Sequence, residues 1–156
     1  MSLAMHAMTV GQFVPTLKNL TRILEKAEAF AAAKKLEPGV LEGLRLAPDM
    51  LSFARQVQLA SDFAKNSAAR LAGVEPPKFE DSEKTLEELK GRIARTVDYL
   101  ETLTPAQFAG AETRAVTVPS RAFGDLHFTG KDYLFGFVLP NVYFHSTTTY
   151  ALLRHA

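Results

Sequence analysis

Asn141 and His145 lie four residues apart in 137-FVLPNVYFHSTTTY-150, the most apolar part of the chain. Four residues make about one helical turn, so a helix here sets an amide beside an imidazole. An imidazole in that place can bind a metal ion, move a proton or complete a buried hydrogen bond. A second polar set, Arg55, Gln56, Gln58 and Asp62, has Gln58 and Asp62 one turn apart. If the two segments pack together, an amide and a carboxylate face His145 and set its tautomer or pKa. The same residues also fit plainer roles. Arg55, Asp62 and Lys65 suit a solvated face, and Asn141 and His145 suit mutual satisfaction of polar groups in a kinked helix. Gln56, Gln58, Asp62, Asn141 and His145 form the candidate pocket, with no catalytic residue assigned.

Counting donors limits metal chemistry. A catalytic zinc site typically takes three protein ligands from His, Asp, Glu or Cys. The chain has no cysteine and four histidines: His6, His127, His145 and His155. His6 lies in an N-terminal tail and His127 in a strand-like segment. His155 stands about 15 Å from His145 along a helix rising 1.5 Å per residue, too far to share one ion. His145 is the only surviving candidate ligand, since asparagine and glutamine bind zinc weakly. No metal or other cofactor is expected. Ser146 and 147-TTT-149 neighbour His145, but adjacent helical residues point in different directions, which disfavours a Ser/His pair. The sequence contains no Gly-rich phosphate loop, G-x-S-x-G elbow or H-E-x-x-H.

Helices must position these groups. Phe13, Leu17, Leu20, Leu24, Ala27 and Ala31 repeat at steps of four and three, which predicts helix one over 9–33 with Pro15 in its first turns. After LEPGVLEGLRLAP, a connection, Pro48-Asp49 suits the start of helix two, which runs to Leu71 with Gly73 as its stop. GVEPPKFED reads as a loop, and Ser82 as the N-cap of helix three, which carries the stripe Leu86, Leu89, Ile93, Val97, Leu100 and ends near Thr104-Pro105. The segments 114–118 and 123–129 alternate around a turn-prone PSRAFGD and predict a β-hairpin. Thr129-Gly-Lys-Asp132 has the spacing of a capping box for helix four, with Asp where Glu is preferred. In helix four, Pro140 cannot donate to the carbonyl of Gly136, so a kink is expected just before Asn141. The stripe Leu134, Val138, Asn141, His145, Thr148, Leu152 turns both polar residues inward. Helix four is apolar almost all round, so it is either central or covered by a second subunit, and a homodimer is expected. The fold class is an all-α four-helix bundle with a small hairpin between helices three and four.

Composition agrees with one soluble domain over 1–156, of which 1–8 reads as a flexible leader. With 18 Lys+Arg against 17 Asp+Glu the net charge is +1, too small to gather a nucleic acid or an anionic membrane. The absence of cysteine fits a reducing compartment and a cytoplasmic location. MSLAMHAMTV has no signal-peptide pattern, and no stretch approaches the ~18 apolar residues of a membrane span.

The runs 45-RLAPDM-50, 56-QVQLASDFAK-65 and 139-LPNVYFHSTTTYALLRHA-156 resemble a bacterial family of unknown function in the DinB/YfiT-like superfamily of four-helix bundles. The resemblance covers nearly the whole chain from about Met8. That superfamily includes metal-dependent transferases acting with bacillithiol, mycothiol or glutathione-type thiols. Its metal is typically held by one histidine of the second helix and two, four residues apart, of the fourth. Carried over here, the fourth-helix pair falls on Asn141 and His145, and the second-helix ligand on Gln58 or, in another register, Gln56. One histidine of three remains. The resemblance therefore implies a metal-free member with a polar pocket for a small molecule. The alternatives are a thiol transferase holding Zn or Ni and a non-catalytic, stress-associated or structural dimer. Relatives continue past the arginine-histidine step with a glycine and a short tail, so truncation at Ala156 is a further expectation.

Overall fold

The computed structural model describes residues 4–156. Its elements are α1 (Met5–Met8), α2 (Val10–Lys34), α3 (Phe53–Ala72) and α4 (Leu86–Thr102), then a 3₁₀ turn (Pro105–Phe108). The strands β1 (Ala115–Val118) and β2 (Leu126–Thr129) follow. The last helix is composite: α5 (Gly130–Asp132), a π-wound segment (Tyr133–Val138) and α6 (Leu139–His155). Four long helices and one hairpin make the expected bundle.

The apolar stripe of helix one is buried as α2, with Phe13, Leu17 and Leu24 at 0% exposure. The expected leader is different. Residues 1–3 lie outside the described residues, but Met5 is buried in the core and His6 Nε2 hydrogen-bonds the Leu103 carbonyl at 3.0 Å, which anchors α1 to the end of α4. Helix two begins at Phe53 rather than Pro48, because the carbonyls of Leu44 and Glu42 take the N–H groups of Phe53 and Ala54 and hold 48–52 as a turn. Helix three begins after Thr85 rather than Ser82: Thr85 Oγ1 accepts from Glu88 N, and Glu88 Oε2 accepts from Thr85 N, a reciprocal capping box.

The hairpin is antiparallel, with Ala115 opposite Thr129 and Val118 opposite Leu126. It leads directly into the last helix, where Thr129 Oγ1 accepts from Asp132 N at 3.2 Å. Asp132, one methylene shorter than Glu, takes the Thr129 hydroxyl at 2.7 Å with its own carboxylate. Gly130 packs against Ala111 so closely that a Cβ would collide with the Ala111 carbonyl.

The central helix is α3. It packs mainly against α6 and α4, and Ala60, Ala64, Ala68 and Ala72, spaced at single turns, are all buried. The last helix is not central. It buries Val142, His145, Thr148, Thr149 and Leu152 but leaves Tyr143, Phe144 and Tyr150 outside. Among the described residues, no helix is long and apolar enough to cross a membrane.

Candidate functional site

Gln56 lies one turn inside α3, and its side chain faces α6. Its Nε2 donates to the Leu51 carbonyl at 3.3 Å, and its Oε1 meets His145 Nδ1 at 2.7 Å. A carbonyl only accepts, so the Leu51 contact directs the amide NH₂ away from the ring and turns the oxygen toward it. That arrangement assigns the proton to Nδ1, and in the neutral ring the lone pair then sits on Nε2. Burial lowers the His145 pKa and keeps the ring neutral. The imidazole stacks on Phe63, with centroids 5.5 Å apart and planes at 20°, and meets Phe144 edge-on. Nε2 makes no hydrogen bond to any described residue.

Gln58 does not join this pair. Two residues further along a helix is about 200° of rotation, which places Gln58 on the opposite side of α3. There it accepts from Arg55 at 2.6 Å and donates to Glu83 at 3.0 Å. Asp62 belongs to the same side: it pairs with Arg92 at 2.8 Å and with Lys65 at 3.1 Å. Arg92, fully buried, also reaches Asp81 and Glu83, and Phe79 lies beneath Lys65 and Arg95. Desolvation lowers the Lys65 pKa, with Asp62 opposing. The plain expectation of a solvated face for Asp62 and Lys65 therefore gives way to a buried ion cluster capped by the 74–85 connection. One signal was present in the sequence: Arg92 stands beside Ile93 in the apolar stripe of helix three, where a lone cation requires buried partners.

Asn141 is half-buried and turned back on its own helix, where Nδ2 donates to the Phe137 carbonyl at 2.7 Å. The expected disturbance around Pro140 takes the form of the π-wound segment just before it, with α-geometry resuming at Leu139.

Among the five expected residues, Asp62 lines a cavity, a cleft of about 470 Å³ between α3, the hairpin and the π-wound segment. Asn66, Arg70 and Tyr133 add polar groups to its wall, while Phe63 and Phe137 add rings. Arg70 donates to the Tyr133 hydroxyl at 3.1 Å; burial raises the Tyr133 pKa and Arg70 opposes the rise. Phe123, at the hairpin tip and 81% exposed, stands at the rim. Phe63 lines this cleft and also stacks on the His145 ring. Sequence reasoning missed Asn66, Arg70 and Tyr133, because nothing local shows that the hairpin folds over them.

Residues 5–156 match the profile described as Domain of unknown function (DUF1993). The chain belongs to this family. A crystal structure of a DinB family member protein from Shewanella denitrificans is 45% identical, with a TM-score of 0.90 over 97% of this chain and 85% of that one. No curated protein matches. This DUF1993 chain thus carries the DinB-like fold expected from 45-RLAPDM-50 and its companion runs.

The DinB resemblance implies a metal held by three ligands, and the donors present do not fit one. Gln56 Oε1 is committed to His145 and Gln58 faces the other side of α3, which leaves the Asn141 amide oxygen, a weak zinc donor, beside one imidazole. A single imidazole with one amide oxygen is not a catalytic zinc set. Among the described residues, no three His, Cys, Asp or Glu side chains gather where they could hold an ion.

Proposed function

We propose that this DUF1993 protein binds a small molecule without a metal, in the cleft between α3 and the hairpin. The observation that supports this is the convergence of Asp62, Asn66, Arg70 and Tyr133 on one apolar-walled cavity of about 470 Å³. Few polar groups set among rings are what a ligand site of this size needs: the rings bury the body and the polar groups orient it. A guanidinium and a carboxylate within one cleft suit a compact ligand bearing both an acceptor and a donor. His145 supports the site from behind. Its ring, fixed by Gln56, stacks on Phe63 and stiffens the wall.

The test is thermal shift over a panel of small polar metabolites, run in excess chelator. At least one compound should raise Tm with the concentration dependence of a single site. That rise should disappear in Arg70→Gln. A rise that persists in Arg70→Gln moves the site elsewhere. A rise seen only when the chelator is replaced by Zn or Ni revives the thiol-transferase reading, and protein purified without a histidine tag that retains about one equivalent of metal would do the same.

A second reading concerns assembly. Leu46, Tyr143 and Phe144 are 43–52% exposed and line one shallow surface groove with Pro140. We propose that this face of α6 pairs with its copy in a homodimer. Light scattering at micromolar concentration should give twice the chain mass, and Phe144→Glu should give the single-chain mass.

A further inference from the structure

A second cleft, of about 570 Å³, lies between α2 and the C-terminal end of α6. Ile23, Ala27, Leu41 and Leu153 supply an apolar floor, and the rings of Phe30 and Tyr150 flank it, half-exposed. Three cations line the same cleft, Arg22, Lys26 and Arg154, beside Asn19 and Ala156, and among the described residues no Asp or Glu side chain does. Arg154 lies in the last turn of α6, where free carbonyls favour a positive charge. No such account covers Arg22 and Lys26. They sit one turn apart in the middle of α2, where like charges at that spacing repel. Arg22 donates to the Asn19 amide oxygen at 3.2 Å, and none of the three joins an ion pair among the described residues. Two lysines elsewhere on the surface do find carboxylates, Lys18 with Glu101 and Lys90 with Glu28 and Glu87.

We propose that this cleft binds an amphipathic anion, an alkyl or aryl carboxylate whose tail lies on the apolar floor and whose carboxylate sits among Arg22, Lys26 and Arg154. The volume is within the range of small-molecule sites. The rings at the edges bury the tail, and the unpaired cations supply charge-assisted hydrogen bonds to the head. The proposal is independent of the cleft beneath the hairpin, which holds a carboxylate, Asp62, in its wall.

Isothermal titration of the full chain with sodium hexanoate, octanoate and decanoate, each below micelle formation, tests it. Saturable one-to-one binding is expected, tightening roughly threefold to fourfold per added methylene. Decan-1-ol should bind at least about tenfold more weakly, as should decanoate to the Lys26→Gln/Arg154→Gln variant, the loss expected of one hydrogen bond to a charged group. Both substitutions are at exposed positions and should leave Tm unchanged. Decanoate binding should also survive Arg70→Gln, which removes the cation of the other cleft. The proposal is overturned by an absence of saturation up to about 1 mM, by equal affinity for decanol, by undiminished binding in the double variant, or by loss of binding in Arg70→Gln.

Discussion

On one side of α3, Gln56 and His145 meet as two neutral groups across 2.7 Å. On the other, Asp62, Lys65, Arg92 and Glu83 meet as ions, with Arg92 at 0% exposure and the Glu83 side chain at 5%. Both arrangements bury polar atoms, but with different costs. A neutral pair gives up little solvation and needs one good hydrogen bond. Buried charges give up far more and recover it only where every ion finds partners. The chain meets that demand by drawing Asp81 and Glu83 from the 74–85 connection onto Arg92, so the cluster fastens that connection to α3 and α4. The ion cluster meets its charges internally, with Asp62 Oδ1 serving both Arg92 and Lys65, whereas the neutral pair leaves one imidazole nitrogen without a partner among the described residues.

The largest effect should come from opening the ion cluster. Arg92→Ala strands the Asp62 and Glu83 carboxylates in a poorly solvated site and should cost about 3–5 kcal/mol of stability, measured by chemical denaturation at neutral pH. The Arg92 Nε is buried without a hydrogen-bond partner among the described residues, so part of its desolvation is already uncompensated. Replacing Arg92 and its buried acids together by apolar residues of similar volume should recover most of the loss. An Arg92→Ala cost below about 1 kcal/mol would mean the cluster is solvated in practice, and the contrast between the two faces would fail.

Gln56→Leu should cost less, about 1–3 kcal/mol, because it leaves the Nδ1–H of His145 buried without an acceptor. Gln56→Glu is more informative, since it makes the neutral face ionic. In the native chain burial holds the His145 pKa below the ordinary imidazole value. The unfolded chain therefore takes up a proton first as pH falls through about 6.5, and stability declines there by up to about 1.4 kcal/mol per pH unit. A carboxylate at position 56 should raise the folded pKa, and the sign reverses: the added stability is present below about 6.5 and disappears as pH rises through the new value. Denaturation midpoints between pH 5 and 8 for the native chain, Gln56→Glu and His145→Gln separate these cases. If His145→Gln keeps the native slope, His145 is not the group that titrates.

Periodicity revealed the helices, because apolar residues such as Phe13, Leu17, Leu20 and Leu24 repeat at the helical spacing over many turns. Rotation within a helix was harder to read. Gln56 and Gln58 flank the buried Val57, and no local pattern states which faces His145, so the choice depends on how α3 packs against α6. Helix starts were misplaced where a loop supplies the partners. Pro48-Asp49 looks like a first turn, but the Leu44 and Glu42 carbonyls, reached only in three dimensions, set the start at Phe53. The cleft beneath the hairpin was illegible for the same reason: Arg70 and Tyr133, 63 positions apart in sequence, meet only after the chain folds.

Asn141 gives the smallest effect and the finest distinction between the faces. In the superfamily pattern its position carries a ligand, yet here Nδ2 is engaged by the Phe137 carbonyl next to the π-wound segment. A purely local role predicts that Asn141→Ala costs about 0.5–1.5 kcal/mol, one hydrogen bond, with the pH slope assigned to His145 unchanged. Asn141→Ala and Gln56→Leu should then add in a double variant to within about 0.5 kcal/mol, because the two amides share no partner. A coupling energy well above that value would join Asn141 to the His145 pair and make the neutral face a three-residue unit.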